Sequence, residues 1–529
     1  MLTRLRVSGF KNLVDVDIRF GPFTCIAGAN GVGKSNLFDA IRFLSALAER
    51  PLVEAALSVR DEESKSGDVR SLFHRIGNDF EKEMSFEAEM IIPETATDEL
   101  GQTAKATITF LRYALKLAYR SDDNIRSLGS IEILEEKLEH INRGEAHIHL
   151  LFPMKVSTWR DSVLMGRRTS PFISTEVKDG GRFIKLHQDG GSSGRPLSRP
   201  AEKLPRTVLS STNAAETPTA LIAKQEMRSW RLLQLEPSAL RKPDKYTAPI
   251  SLAADGSHLA STLYHLALHP RYSGDQSTSA DPDKVYAQIA NRLSELIEDV
   301  GKVWVDRDDS RELLTLMVTS RDGTTHPARS LSDGTMRFLA LSVLELDLKA
   351  EGVICLEEPE NGIHPERIPK ILELLQDVAT DAEEKVGEDN PLRQVIINTH
   401  SPAVVQQVPE DSLVVAELRD TVQQGKHFKR VSFGYLPDTW RGKDKDLTRS
   451  SDKNIVPLGR LLSYLNPVPK ANEIEESSRS QKRVIDRRDI KDLTPMIPGL
   501  PEQLSGPSTN DLMANPKSLK LLNSPSHSQ

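Results

Sequence analysis

Apolar and polar residues alternate from Leu2 to Val7 and again from Val14 to Phe20, so the chain should open as two strands joined at Gly9-Phe10-Lys11-Asn12. A continuous apolar run, Phe23 to Ala27, predicts a buried third strand, and Asn36 to Leu47 has helical spacing. From Asp61 to Asp79 the chain turns charged and loop-like. Alternation returns in Met84 to Ile92 and Thr107 to Tyr119, which predicts an antiparallel lobe. Ile131 to Ile141 fits a further strand or a short helix. His147-Ile148-His149 reads as a strand running into Phe152, with both imidazoles on one face, as zinc ligands can be, but no third ligand is near and an ordinary strand face is expected.

Gly180 to Pro205 is rich in Gly, Ser, Pro and Arg and predicts an exposed linker at 180–205 between two halves of one insertion. Thr217-Pro218 offers an N-cap and first turn for a helix running to Leu233. Leu259 to Leu268 forms another, and Asp281-Pro282 starts a third with Val285, Ile289, Leu293, Leu296 and Val300 on one face. No heptad pattern persists, which excludes a long coiled-coil arm. Met336 to Leu348 is a strong helix, and Val353 to Leu356, Gln394 to Ile397 and Leu413 to Ala416 are short apolar strands.

Chemistry enters at Gly28 to Ser35, which fits Gly-x-x-x-x-Gly-Lys-Ser between a strand and a helix. Glycines there let backbone N–H groups turn toward a polyphosphate, Lys34 can reach the β and γ phosphates, Ser35 can hold Mg2+, and the helix presents its positive end. Asn30, Gly31, Val32, Gly33, Lys34, Ser35 and Asn36 are therefore the expected nucleotide contacts, and ATP the expected ligand. Composition narrows the partners. The 529 residues include 69 Lys plus Arg and 76 Asp plus Glu, a formal net charge of -7. That balance argues against a wholesale polyanion binder and leaves only a local basic face for DNA. Two cysteines, both in apolar strands, and no apolar run of membrane-spanning length predict a cytoplasmic protein without a membrane partner.

Three further motifs follow in order. Leu331-Ser332-Asp333-Gly334-Thr335 places small and hydroxyl residues ahead of a helix whose N-terminus could meet phosphate. Val353 to Leu356 ends in Glu357-Glu358-Pro359, two acids at a strand's end: Glu357 can hold magnesium and Glu358 can polarise the attacking water. Gln394 to Ile397 closes in Asn398-Thr399-His400-Ser401-Pro402, which offers His400 to a γ phosphate.

With Ser8-Gly9-Phe10-Lys11-Asn12-Leu13, this set resembles the ABC-type ATPases of the SMC, RecF and OLD branch. The resemblance covers roughly residues 1–50 and 325–405. It implies Lys11 and Asn12 as additional nucleotide contacts, and a nucleotide sandwiched between two heads, with Ser332, Asp333 and Gly334 of one subunit contacting ATP bound to the other. A homodimer or higher even oligomer follows. It also implies that the His400 strand lies between the other two motif strands, which puts Cys25 and Cys355 about 10 Å apart and excludes a disulfide. The chain departs from the common pattern in LSDGT for LSGGQ, in Glu357 for aspartate, and in His364 at the usual D-loop aspartate. A Q-loop glutamine is not apparent. The long interval between P-loop and signature argues against a transporter head.

The expected fold is α/β: an ABC-type P-loop ATPase head (1–60 and 325–410) with an inserted antiparallel β lobe and helical lobe (61–324), then a C-terminal partner-binding extension (411–529). Segments Met227 to Pro237, Leu240 to Pro243 and Asp255 to Ala260 are similar to ATPase subunits of Septu-type anti-phage systems. OLD proteins carry a C-terminal Toprim nuclease, which needs an acid after one apolar strand and Asp-x-Asp after another. Glu417 follows Leu413 to Ala416, yet Asp444-Lys445-Asp446 has no apolar strand before it, and no Cys/His framework marks an HNH nuclease. The expectation is an ATPase without intrinsic nuclease that regulates a separate effector of HNH type, with DNA or retron nucleic acid as a further partner. A RecF-like repair clamp and an OLD-like self-sufficient nuclease are the alternatives. Pro457 to Leu465 reads as a short amphipathic helix, followed by a charged run, Arg479 to Arg488, and a Pro/Ser/Asn-rich tail from about Gly499 that should be disordered or fold on a partner.

Overall fold

The computed structural model describes residues 1–59, 68–120, 130–189, 196–269, 282–423, 425–443 and 454–457. Strands β1 (Leu2–Ser8), β2 (Val16–Arg19) and β3 (Phe23–Ala27) precede helix α1 (Lys34–Leu47). Six strands follow: β4 (Glu83–Ile91), β5 (Phe110–Arg120), β6 (Ser130–His140), β7 (Ile173–Lys178), β8 (Gly181–Leu186) and β9 (Leu197–Pro200). Helix α2 (Pro218–Ser229) leads into β10 (Arg231–Leu233). A small helical part holds α3 (Leu259–Leu268), α4 (Pro282–Ser294) and the hairpin β11 (Val300–Asp308) and β12 (Leu313–Ser320). The last elements are α5 (Asp333–Leu346), β13 (Gly352–Glu357), α6 (Ile368–Val378), β14 (Arg393–Thr399), β15 (Leu413–Gln423) and β16 (Lys426–Gly434).

The sheet that positions the site has the order β10-β13-β14-β3-β15-β16. All its pairings are parallel except the antiparallel β15–β16 edge. Every residue of β3 and β14 is buried, including the polar Thr24, Arg393, Gln394, Asn398 and Thr399 around their apolar centres. Side-chain alternation still divides them. Ile26, Val353, Cys355 and Ile396 face a core that contains α1, whereas Cys25, Ala27, Ile354, Leu356 and Ile397 face a core that contains α5 and α6. Glycine-free β14 lies between β3 and β13, as the resemblance implied, and both cysteines are free. Burial pushes both thiols well above the ordinary range, so they are inert core residues.

The second sheet is antiparallel, in the order β9-β8-β7-β6-β5-β4-β1-β2. Its inner face shares the core of α1, so that helix is enclosed by both sheets. This arrangement bears on four expectations. The span expected as an insertion, 61–324, is joined to the head by strand pairing: β4 pairs with the N-terminal β1, and β10 pairs in parallel with β13. The stretch after Ser229 continues the helical spacing of α2, but Trp230 turns extended (ψ 115°) and the next three residues join the sheet; pairing partners far along the chain override the local pattern. The 180–205 segment is no plain linker, since β8 and β9 pair with each other. Residues 411–529 are not wholly an extension, because β15 lies directly against β3.

Smaller differences have local causes. Ile131 to Ile141 forms strand β6. Ala146–His149 is a helical turn rather than a strand: His147 is exposed against the Gly144 carbonyl, while His149 Nδ1 meets the buried Glu89 carboxylate at 3.0 Å. Thr217 precedes α2 but does not cap it, its hydroxyl turning back to the Asn213 carbonyl. The helix expected at Met336 starts at Asp333, and the face of α4 is buried at Ile289 and Leu293 as its spacing predicts. Asp444-Lys445-Asp446, Leu458 to Leu465, Arg479 to Arg488 and the tail lie outside the described residues. Among the described residues no helix is long and apolar enough to cross a membrane.

Candidate active site

The loop after β3 turns through Gly31 (φ +77°) and Gly33 (φ +104°), left-handed conformations that glycine adopts without strain. Gly33 is also the residue that caps α1, and a Cβ there would fall 2.1 Å from Asn12 Nδ2. Asn12 explains that closeness. Its amide donates to the Val32 carbonyl (3.1 Å) and its oxygen accepts from Asn36 Nδ2 (2.7 Å). Lys11, at φ +50°, pairs with Asp39 on α1 at 2.5 Å, and its carbonyl meets His74 Nδ1. Lys11 and Asn12 thus brace the loop and α1 from behind.

Lys34 lies within the loop, donating to the carbonyls of Gly28 (2.7 Å) and Ala29 (3.0 Å). Burial lowers its pKa, against the opposing pull of Glu358, Glu357 and Glu360. In front of it opens a cavity of about 610 Å³, a size suited to a small ligand. Asn30, Gly31, Gly33, Lys34, Ser35 and Asn36 line it on one side, and Glu357 and Glu358 on the other. Val32 instead turns into the core.

Glu357 ends β13, and Asn398 on the neighbouring strand donates to its carboxylate at 3.2 Å. Glu358 then takes φ +46°, a conformation that costs a non-glycine residue free energy and that local bonds must hold. Its N–H donates to the Asn398 carbonyl (3.0 Å), and its two carboxylate oxygens meet His400 Nδ1 (2.6 Å) and Asn361 Nδ2 (2.9 Å). Burial alone would raise the Glu358 carboxyl. Asn361, His400 and Lys34 together hold it below its ordinary value, so it is an ionised carboxylate at neutral pH. His400 thus reaches the site through Glu358 and does not itself line the cavity.

Behind this pair, Thr399 Oγ1 donates to the buried Glu360 carboxylate at 2.5 Å and accepts from the Ser401 N–H at 2.9 Å. Burial raises the Glu360 carboxyl. The oxygen donors suited to a hard cation are the Ser35 hydroxyl and the Glu357 carboxylate, both lining the cavity. Among the described residues no group of three or more His, Cys, Asp or Glu could hold a metal. Magnesium at this cavity would be held by Ser35 and Glu357 together with phosphate oxygens. Glu417 lies on β15 opposite Ser432, and its candidate partners Asp444 and Asp446 lie outside the described residues.

Gln234 and Arg337 are among the lining residues that escaped the sequence. Gln234 directly follows β10, at the C-terminal end of a strand beside β13, and lines the cavity; reading Trp230 to Leu233 as a strand would have exposed it. Arg337, on the first turns of α5, donates to the carbonyls of Asn361 (2.7 Å) and Leu235 (3.3 Å) and lines the cavity too. Ser332 caps α5, its hydroxyl accepting from the Thr335 N–H at 3.2 Å. Gly334 is pressed so close to the next loop that a Cβ would lie 2.3 Å from the Gly362 carbonyl oxygen. Ser332, Asp333 and Gly334 do not line the cavity that holds the other motifs.

Sheet order, P-loop, paired acids and the strand that leads into His400 are those of a P-loop ATPase head. The chain belongs to the family described as "AAA domain, putative AbiEii toxin, Type IV TA system", whose model matches residues 23–125 and 176–406, more than half of the chain. The DNA replication and repair protein RecF from two strains of Porphyromonas gingivalis is 44% identical over 46 residues, 8% of this chain. The match spans only 13% of the length of those relatives. Among solved structures, an Smc head bound to the C-terminal winged-helix domain of ScpA is similar over 82% of this chain and 98% of its own, with 13% identity and a TM-score of 0.41. The SMC head domain from Thermotoga maritima covers the same shares at 11% identity and a TM-score of 0.34.

Proposed function

We propose that this ATPase works as a homodimer, or a higher even oligomer, in which ATP closes two heads on each other and thereby gates a separately encoded nuclease in anti-phage defence. The observation that carries the dimer is the separation of the parts: P-loop, Glu357, Glu358 and Gln234 share one cavity, while the capped N-terminus of α5 with Ser332 and Gly334 lies outside it. A second copy can supply that missing helix N-terminus to the γ phosphate. In the closed site Lys34 and the loop N–H groups hold the β and γ phosphates. Glu358 orients a water and takes its proton as the water oxygen bonds to the γ phosphorus and the bond to ADP breaks. His400, hydrogen-bonded to Glu358, keeps that carboxylate aimed and ionised. Magnesium, held by Ser35 and Glu357, would offset charge on the phosphates.

The defence reading is supported by the resemblance of Met227 to Pro237, Leu240 to Pro243 and Asp255 to Ala260 to Septu-type ATPase subunits, the first of which contains the cavity residue Gln234. A toxin component in the family's description suits a damaging output. A RecF-like repair clamp is the second reading, favoured by the RecF match. Light scattering of Glu358→Gln protein with and without ATP tests the dimer: an ATP-dependent doubling of mass is expected, and a monomer under all conditions would defeat it. Co-expression with the neighbouring gene products separates the two uses. A nuclease that co-purifies favours defence, whereas ATP-dependent retention on DNA without such a partner favours repair.

A further inference from the structure

Residues Gln234 to Arg241 run from the phosphate cavity to the signature turn. At the cavity end, the N–H groups of Gln234 and Glu236 donate to the carbonyls of Ala254 and Asp255, both at 2.8 Å. The short helix Pro237–Leu240 then packs on Gly256 (φ +88°), where a Cβ would lie 2.6 Å from Leu240 Cδ2. At the far end Arg241 Nη2 donates to the Leu331 carbonyl (2.7 Å) and to Asp333 Oδ1 (2.5 Å).

Asp333 presents an electrostatic conflict. As the first residue of α5 it stabilises the helix by its charge. The same carboxylate, standing where the common signature has glycine, would repel a triphosphate brought to that helix end. Its ion pair with Arg241 is partly open, with side-chain exposures of 27% and 54%, and a pair so exposed adds little to folding. We propose that Arg241 is a positioning residue that neutralises Asp333 and fixes the Leu331–Asp333 turn, so that Ser332 and Gly334 can close on the nucleotide of a second copy. This rests on the two-chain site proposed above. Because Arg241 ends the segment that begins at Gln234, the same residue ties a head's own nucleotide cavity to the surface it offers its partner.

The test uses the full chain. Arg241→Gln keeps a donor for Leu331 but loses the charge. ATP affinity, read with a fluorescent analogue, should stay near wild type, while kcat and the ATP-induced dimer fraction fall by about tenfold. Adding Asp333→Asn should return most of the lost turnover, because the uncompensated charge is gone. Arg241→Lys, which keeps the charge with less disturbance, should retain more turnover than Arg241→Gln and covers the case in which the glutamine variant folds poorly. Unchanged turnover in a folded Arg241→Gln, no repair by Asp333→Asn, or an equal loss in the lysine variant would each overturn the proposal. Mixing adds a separate readout: Arg241→Gln should be rescued by Lys34→Ala protein but not by Ser332→Arg protein. If the control mixture of Ser332→Arg with Lys34→Ala gains nothing, the two-chain site itself fails. If the control gains and Arg241→Gln does not follow that pattern, only the role of Arg241 fails.

Discussion

Glu358 shows how much chemistry a single backbone angle can set. At φ +46° it leaves the line of β13 and reaches both His400 and Asn361, whereas an extended residue would continue the strand. Its assigned role predicts that Glu358→Gln binds ATP yet turns over about 10²- to 10⁴-fold more slowly, the usual range for losing a general base. Lys34→Ala should instead lose binding; near-normal hydrolysis by the glutamine variant, measured by phosphate release, would reassign the base. A pH profile adds a second check. Asn361, His400 and Lys34 hold the Glu358 carboxyl below its ordinary value, so kcat should be flat through neutral pH and fall only on strong acidification. His400→Ala removes a partner of the charged form, so the acid limb should move to higher pH. At this scale the sequence was informative: Lys34, Ser35, Glu357, Glu358 and His400 were legible because phosphate chemistry fixes residue types at short spacings. Lys11 and Asn12, expected as nucleotide contacts, do not line the cavity, and only the fold shows them bound to the loop and to α1.

Elements were legible in proportion to how locally they are determined. The strands β3, β13 and β14 carry enough apolar residues to declare themselves. The three-residue β10 does not: it is a strand because Arg231, Leu232 and Leu233 pair with Ile354, Cys355 and Leu356 more than a hundred residues later. Missing it hid Gln234. The same long-range logic hid the joining of β4 to β1. Another tie between elements yields a prediction. Glu136 on β6 is fully buried and accepts the N–H groups of Val208 and Leu209, both at 2.8 Å, which pins that segment to the antiparallel sheet. Burial pushes its carboxyl up to about 7, against the lowering pull of those two donors and of Tyr113. A raised folded-state value means that the native state holds a proton the unfolded chain has released. The stabilisation is therefore complete below the ordinary carboxylate range and is lost as pH rises toward about 7. The unfolding free energy from urea titrations should fall between mildly acidic and neutral pH by an amount on the order of 3 kcal/mol. Glu136→Gln should flatten that slope; an unchanged slope would place the titration elsewhere.

At the scale of the whole molecule, the proposed division of the site between two copies predicts complementation. Neither Ser332→Arg nor Lys34→Ala should turn over alone, but in an equimolar mixture half the dimers pair one of each. Each mixed dimer keeps one intact composite site, so about a quarter of wild-type activity should return if the sites act independently. No return in any mixing ratio would count against a shared site.

The remaining question is where an effector would bind, and the fold moves the boundary. Residues up to Gln423 and from Lys426 to Gly434 form sheet strands, and Ile455 bridges to Tyr435 while Val456 is buried. A chain ended near 450 would therefore uncover the edge beside β16 and lose stability. One ended after Pro457 should keep the ATPase head whole. The amphipathic stretch Leu458 to Leu465 and the polar residues beyond it are the proposed docking region, with an apolar stripe to anchor a partner and adaptable contacts to follow. The protein ended after Pro457 should hydrolyse ATP at close to the wild-type rate and cut no DNA, yet fail to retain a nuclease that co-purifies with the full chain. Metal-dependent plasmid cleavage by the full chain alone, surviving Glu358→Gln but lost on changing Glu417 or Asp444, would instead place the nuclease in this chain. Retention of the partner by the shortened protein would move the docking surface onto the head, where the β15–β16 hairpin exposes Leu418 and Val422.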